Sequence, residues 1–325
     1  MNAQWYYLLL IFLFTTYSYA GQKIPHLLVL GIPKPGIVIP QVRGLLDGLE
    51  EAGYVEGKNL IIEFAYAENA QRLRDHLTNL AQKKVDVIVA TSANETAIAK
   101  QITSTIPIIF APAIDPVGMG FVKSRSRPNA NLTGLSFTRD VEDNGKQLAM
   151  FKQVVPAMRR VTLFYNSQPL ATRTLSTVLI AVQRVARNLN IQLAEFPASS
   201  TAEATQLLGH VLKGTTDGIF VICSATFRGM ARLADRAANI GAPVFGCTAT
   251  QVAEEGALMT YAPDIYYMGY RSAWYVDRIL RGARPEQLPV EAPMKFELVL
   301  NLNASRRIGL TIPAEVLILA DKVFQ

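Results

Sequence analysis

The chain has 325 residues, 50% of them apolar, and 32 Lys and Arg against 26 Asp and Glu give a formal net charge of +6. The positive charge is spread out. Its densest cluster, Lys123-Ser-Arg125-Ser-Arg127, is a short run beside a Pro-Asn turn, which reads as a solvated loop and excludes nucleic acid as a partner. Three histidines (His26, His76 and His210) lack metal-ligand spacing, which argues against a zinc or haem site.

Residues 5–14 form an unbroken apolar block, and the polar stretch after it leads to Ala20 with small residues at Ser18 and Ala20. Signal peptidase cuts after such an arrangement. The block is shorter than the roughly 20 residues of a spanning helix. Residues 1–20 are therefore expected to be a cleavable signal peptide that sends the chain to the periplasm. No cysteine lies near the cleavage site, which excludes a lipoprotein-type anchor. Outside the cytoplasm ATP and NADH are out of reach, which favours binding over catalysis. At about 150 residues per domain, the mature length predicts two domains.

The first half of the mature chain alternates strand and helix. Near-continuous apolar runs at 26–32, 60–67, 86–91 and 107–113 read as strands buried on both faces of a parallel sheet. Between them, 42–54, 70–84 and 92–104 carry helical patterns. The first is closed by Gly53 as a left-handed cap, and the third is opened by Ser92-Ala-Asn-Glu95 as a capping box. The alternation then repeats, with strands at 161–166, 191–196, 218–223 and 243–247 and helices at 172–190, 202–213 and 227–240. Two similar halves predict an α/β fold of two doubly wound parallel-sheet lobes.

Three segments stand outside the alternation and read as crossings between lobes: 131–137, 257–264, and the linker 285–293 leading into 296–303. The helix 267–282 is expected to pack back on the first lobe. The expected division is 21–132 with 265–288 in lobe I and 133–264 with 289–325 in lobe II. A hinge of three crossings bends to close on a small ligand. Cys223 and Cys247 each end a strand-like run, at the same end of neighbouring parallel strands. An even count in an oxidising compartment allows a disulfide. Directly paired strand residues rarely reach disulfide geometry, however, which favours two buried thiols.

Specific phrases then point to a family. They run from Gly53-Tyr-Val-Glu-Gly-Lys-Asn59, Ile62-Glu63, Ala67-Glu68 and Val85-Asp-Val-Ile-Val89 through Ser104-Thr-Ile-Pro-Ile108, Asp115-Pro-Val-Gly118 and Asn131-Leu-Thr-Gly-Leu-Ser136. Tyr275-Val-Asp-Arg-Ile-Leu-Arg-Gly282, Leu288-Pro-Val-Glu291, Lys295-Phe-Glu-Leu-Val299, Ile308-Gly-Leu-Thr-Ile-Pro313 and Ala320-Asp321 continue the order. Together these resemble the ABC transporter substrate-binding proteins whose better-known members bind tryptophan or phenylalanine. The resemblance spans nearly the whole mature chain. It implies the type I periplasmic-binding fold, a small-molecule ligand with an amino acid as the leading expectation, an inner-membrane permease as partner, and no cofactor. Two phrases depart from the family pattern. Ala67-Glu-Asn-Ala70 stands where Ala-Glu-Gly is usual, and Pro128-Asn-Ala-Asn131 replaces Pro-Gly-Gly-Asn, so Asn129 is expected to take a left-handed position.

Ligands of open α/β sheets lie beyond the carboxyl ends of the strands, against helix N-termini. That rule selects Thr91 and Ser92, whose hydroxyls with the following N–H groups suit a carboxylate, although Ser92 also reads as a plain cap. Asp115 and Asp264 suit an ammonium group, yet both read as caps, Asp115 more strongly because Pro116 follows. In the second lobe the rule selects Tyr165, Asn166, Ser224 and Thr248. At the crossings it selects Ser136 and Tyr261, and Pro33-Lys34-Pro35-Gly36 forms a rim. No nucleophile elbow, Walker loop or metal-binding His pair occurs, so the chain is not expected to be an enzyme. The sequence predicts a monomeric solute-binding component of an importer, with a periplasmic ligand sensor as the alternative.

Overall fold

The computed structural model describes residues 24–32, 39–66, 70–81, 84–167 and 172–325. The signal segment 1–20 and the Pro33–Gly36 rim lie outside the described residues. The first lobe is built from β1 (His26–Ile32), α1 (Pro40–Glu51), β2 (Ile61–Tyr66), α2 (Ala70–Ala81), β3 (Val87–Ala90), α3 (Ala93–Ile102), β4 (Ile108–Ala113) and β5 (Leu132–Ser136). Its five strands run parallel in the order β2-β1-β3-β4-β5. Leu27 to Leu30, Val87 to Ala90 and Ile108 to Phe110 are all buried, so apolar side chains meet helices on both faces, as the continuous runs require.

The second lobe follows with α4 (Asp143–Val154), β6 (Arg160–Asn166), α5 (Thr172–Asn188), β7 (Gln192–Ala198), α6 (Thr201–Leu208), β8 (Gly218–Val221), α7 (Ala231–Asn239), β9 (Val244–Phe245), α8 (Ala249–Ala253) and β10 (Met259–Ala262). After α9 (Ile265–Leu280) the chain adds β11 (Glu297–Asn301), α10 (Leu302–Arg307), α11 (Ala314–Leu319) and β12 (Lys322–Phe324). The seven strands lie in the order β12-β11-β10-β9-β8-β6-β7, parallel except where β10 meets β11. Five of them, β6 to β10, repeat the order of the first sheet. The two lobes are therefore two copies of one doubly wound pattern, the second extended by two strands. Phe151 of α4 packs on Phe220 and Phe245, and those two rings sit 4.9 Å apart, which fixes α4 on this sheet.

Helix α9 packs back on α1 through glycines. Gly44 and Gly48 of α1 face the backbone of Tyr266 and Tyr270, and Gly269 faces Gln41, so no Cβ separates the helices. Hydrogen bonds from Tyr54 to Asp277 (3.1 Å) and from Tyr266 to Asp47 (2.8 Å) flank the contact. The first and third crossings run side by side. Thr133 donates to the Leu288 carbonyl (2.7 Å), and the Ser136 N–H donates to the Glu291 carbonyl (2.8 Å). Tyr275, fully buried on α9, donates to the Pro289 carbonyl (2.7 Å), and burial beside the Glu291 charge holds its phenol far above the ordinary range.

Gly53 and Asn129 adopt positive φ (87° and 53°), as the sequence predicts. Three expectations need correction. The capping box at Ser92 is open: its Oγ accepts from the Asn94 N–H (3.2 Å), and Glu95 turns away, leaving Oε2 buried without a partner. The helix expected at 227–240 is a short 3-10 turn at Ala225–Phe227 followed by α7. The cysteines are not thiols. Cys223 and Cys247 form a disulfide with Cα atoms 5.3 Å apart. Strand β8 ends at Val221 and β9 at Phe245, so both cysteines lie past the ladder and are free of the spacing it imposes.

Candidate ligand-binding site

A doubly wound sheet has one switch point, where successive connections leave in opposite directions and a crevice opens past the strand ends. In the first sheet that point lies between β1 and β3, and in the second between β6 and β8. The carboxyl ends at these two points face each other. Between them is a cavity of about 150 Å³, a size that accepts a single aromatic ring. Thr91, Ser92 and Asn94 line it from the first lobe, and Asn166, Ser224, Thr226, Thr248 and Gln251 from the second. Pro112, Ile114, Met119, Phe137, Leu175, Val178, Ile222, Phe227 and Ile265 complete its apolar walls.

Polar groups converge on this space from element ends. Ser92 opens α3, Ser224 opens the Ala225–Phe227 turn with its Oγ accepting from Thr226 N–H (3.3 Å), and Thr248 opens α8. Two hydroxyl oxygens, of Thr91 and Thr226, are buried with no hydrogen-bond partner. Both residues line the cavity, so a polar atom placed there would pair with these oxygens. Arg228 is the one charged residue among the described residues that line the cavity, and no carboxylate lines it. Its Nη1 donates to the Gly31 carbonyl across the cleft (3.1 Å), joining the second lobe to the end of β1. A Cβ at Gly31 would lie against Thr91 Oγ1 and 3.0 Å from Glu95 Oε1, so Thr91, Glu95 and Arg228 gather around one glycine.

Five of the ten residues selected from the sequence line the cavity: Thr91, Ser92, Asn166, Ser224 and Thr248. The other five stand one step behind it. Asp115 accepts from the Gly118 N–H (3.0 Å), closing the turn after β4, while its neighbour Ile114 faces the ligand space. Asp264 caps α9 through Tyr266 and Tyr267 N–H groups (2.8 and 3.2 Å), and Ile265 beside it lines the wall. Ser136 is fully buried in the hinge and donates to the Thr138 carbonyl (2.7 Å), with Phe137 taking the wall position. Tyr261 packs on Phe296 in the hinge (5.4 Å), and Tyr165 packs against the second core. Both aspartates thus serve as caps, the stronger of the two readings for Asp115.

Sequence reasoning missed Gln41, Thr226, Arg228 and Gln251. Gln251 is 5% exposed; it accepts from the Cys247 N–H (2.6 Å) and donates to the Phe227 carbonyl (2.8 Å), so it locks two ligand-facing loops together. A Gln at the third position after an N-cap Thr is the one sequence signal that could have found it.

Two doubly wound lobes, three crossings and a ligand-sized cleft spanning both switch points define the type I periplasmic-binding-protein fold. The chain belongs to the ABC transporter substrate binding protein family, whose model matches residues 34–324. It is 25% identical over 261 residues to a tyrosine-binding protein of Clostridioides difficile (strain R20291), covering 80% of this chain and 73% of the relative. Among solved structures it is similar to a conserved domain protein from Vibrio cholerae O1 biovar El Tor strain N16961, with 28% identity and a TM-score of 0.83 over 93% of this chain and 100% of that one. The fold is also that of the ABC domain in complex with L-Trp from Streptococcus pneumoniae, at 22% identity and a TM-score of 0.80 over 92% and 99% of the two chains.

Proposed function

We propose that this protein is the periplasmic solute-binding component of an ABC importer, that it closes its lobes over an amino acid with an apolar or aromatic side chain, and that it delivers the ligand unchanged to an inner-membrane permease. The observation that carries the ligand class is the placing of the Arg228 cation and the unpartnered Thr91 hydroxyl around Gly31. Arg228 supplies the counter-ion for a carboxylate, and the unpartnered Thr91 hydroxyl on the cavity wall accepts from the ammonium group, with the Glu95 carboxylate behind the lining on the far side of Gly31. A buried hydroxyl without a partner is costly, and a bound ammonium removes that cost. Leu175, Val178, Phe227 and Ile265 then receive the side chain. The family membership, the tyrosine-binding relative and the L-Trp complex of a fold neighbour support the same class.

Closure follows from geometry. The head group touches both lobes only when the cleft is shut, so ligand shifts the population toward the closed form by its differential affinity. The closed form is the state the permease recognises. Chain residues 1–20 serve as the signal peptide that exports it. Among the described residues no helix is long and apolar enough to cross a membrane.

Native mass spectrometry of the protein isolated from a periplasmic extract tests this reading. One co-purifying amino acid per chain, released unchanged on mild unfolding, is the expected result. A turnover product, or a ligand without both an amine and a carboxylate, contradicts it. Thr91→Val removes the hydroxyl at constant volume. Loss of one hydrogen bond to a charged group costs about 1.5–3 kcal/mol, so affinity measured by calorimetry is expected to fall roughly tenfold or more with the melting temperature nearly unchanged.

A further inference from the structure

The floor of the cleft is a disulfide. Cys223 and Cys247 both line the cavity, each is only 5% exposed, and the remaining side of the bond is closed by the core of the second lobe. The sulfurs are approached through the ligand space, since both cysteines line it. Each cysteine also starts a ligand-facing loop: Cys223 precedes Ser224 to Arg228, and Cys247 precedes Thr248. Gln251, with its hydrogen bonds to the Cys247 N–H and the Phe227 carbonyl, ties the same two loops by another route.

We propose that the Cys223–Cys247 bond is a ligand-shielded thiol–disulfide exchange site that sets the affinity of the cleft. The reductant is a small dithiol. Its thiolate attacks one sulfur, the S–S bond breaks, and the other cysteine leaves as a thiolate while a mixed disulfide forms. The second thiol of the reductant then displaces the first cysteine. Two electrons and two protons end on Cys223 and Cys247, and the reductant leaves as its cyclic disulfide. Reduction removes the covalent tie between the Ser224–Arg228 loop and Thr248, so that the loop carrying Arg228 is held by the Gln251 bonds and by the Thr201 hydroxyl on the Arg228 carbonyl (2.9 Å). Ligand and disulfide are thereby linked. A bound ligand blocks the approach of the reductant, and loss of the bond weakens the ligand.

The ligand half of this proposal rests on the amino-acid reading given above, so the test has two arms. In the first, dithiothreitol reduces the protein with and without saturating L-tyrosine or L-tryptophan, and the reaction is acid-quenched and read as alkylated mass. Reduction is expected to slow roughly tenfold or more, and calorimetry of the reduced protein to show roughly tenfold weaker binding. The second arm needs no ligand. Dithiothreitol is compared with thioredoxin, a dithiol too large for the cleft, each rate normalised to that on urea-unfolded protein. Thioredoxin is expected to lag at least tenfold on the native form. If neither amino acid binds the oxidised protein, the ligand reading fails and the second arm alone decides the proposal. The proposal is overturned if an amino acid binds yet leaves the reduction rate unchanged, or if thioredoxin matches dithiothreitol on the native form.

Discussion

Arg228→Ala weakens ligand binding by roughly 10- to 150-fold, the equivalent of about 1.5–3 kcal/mol for a hydrogen bond to a charged group. The residue is the one cation among the described residues lining the cleft, and it already reaches the opposite lobe through the Gly31 carbonyl. Truncation removes both the counter-ion of the ligand carboxylate and the bond between lobes. The loss is expected mainly in the dissociation rate, because contacts made on closure hold the ligand in rather than steer it in. Arg228→Lys keeps the charge but not the planar fork, so an intermediate affinity is expected. Since Arg228 is largely exposed and outside both cores, thermal unfolding of the ligand-free variant should match that of the wild type. Calorimetry and stopped-flow dissociation together check this.

Gly269→Ala is expected to have the largest effect on stability. A Cβ there would fall inside contact distance of the Gln41 carbonyl oxygen and lie 2.7 Å from the Gln41 Cα. Those are backbone atoms of α1 and cannot step aside, so α9 must move off α1. Overpacking costs about 1–3 kcal/mol where side chains can yield, and here they cannot. A loss near 3 kcal/mol lowers the melting temperature by roughly 5 °C in a chain of this length. Gly44→Ala meets the Tyr266 carbonyl in the same contact and should act alike. The two together should cost less than their sum, because once α9 has moved the second Cβ finds room. Gln41 also lines the cleft, so Gly269→Ala should weaken the ligand even where the protein remains folded. Scanning calorimetry of both single variants and the pair tests this.

Much of the architecture was legible because it rests on periodicity. Runs such as Leu27 to Leu30 and Val87 to Ala90 are apolar at every position, and only a strand covered on both faces uses such a run. Helix α4 escaped because its buried stripe begins with Asp143, Asn144, Gly145 and Gln147 before Leu148, Phe151 and Val154. Those polar residues are buried by tertiary partners: Asp143 accepts from the Arg139 N–H (2.7 Å), and Gln147 donates to the Tyr261 carbonyl (2.9 Å). No local pattern announces such burial.

The site was legible to the same degree and for the same reason. The rule that ligands lie past strand ends selected Thr91, Ser92, Asn166, Ser224 and Thr248, which line the cavity, because strand ends can be read along the chain. Where it chose Asp115 and Asp264, the acids cap a turn and a helix, and the neighbouring Ile114 and Ile265 line the cavity. Arg228 and Gln251 reach the cleft from a loop and a five-residue helix whose positions depend on contacts distant in sequence. The disulfide was hidden by the shortness of β9, two residues where the sequence promised five.

The proposed ligand is an amino acid whose head group and apolar side chain fill the cleft. Isothermal titration of the ligand-stripped protein with L-tryptophan and L-tyrosine, at several temperatures, tests it most directly. One-to-one binding with a negative heat-capacity change, lost on N-acetylation or amidation of the same amino acid, is the predicted result. Binding that survives blocking of both charged groups, or no heat from either amino acid alongside tight binding of a ligand without them, would contradict it.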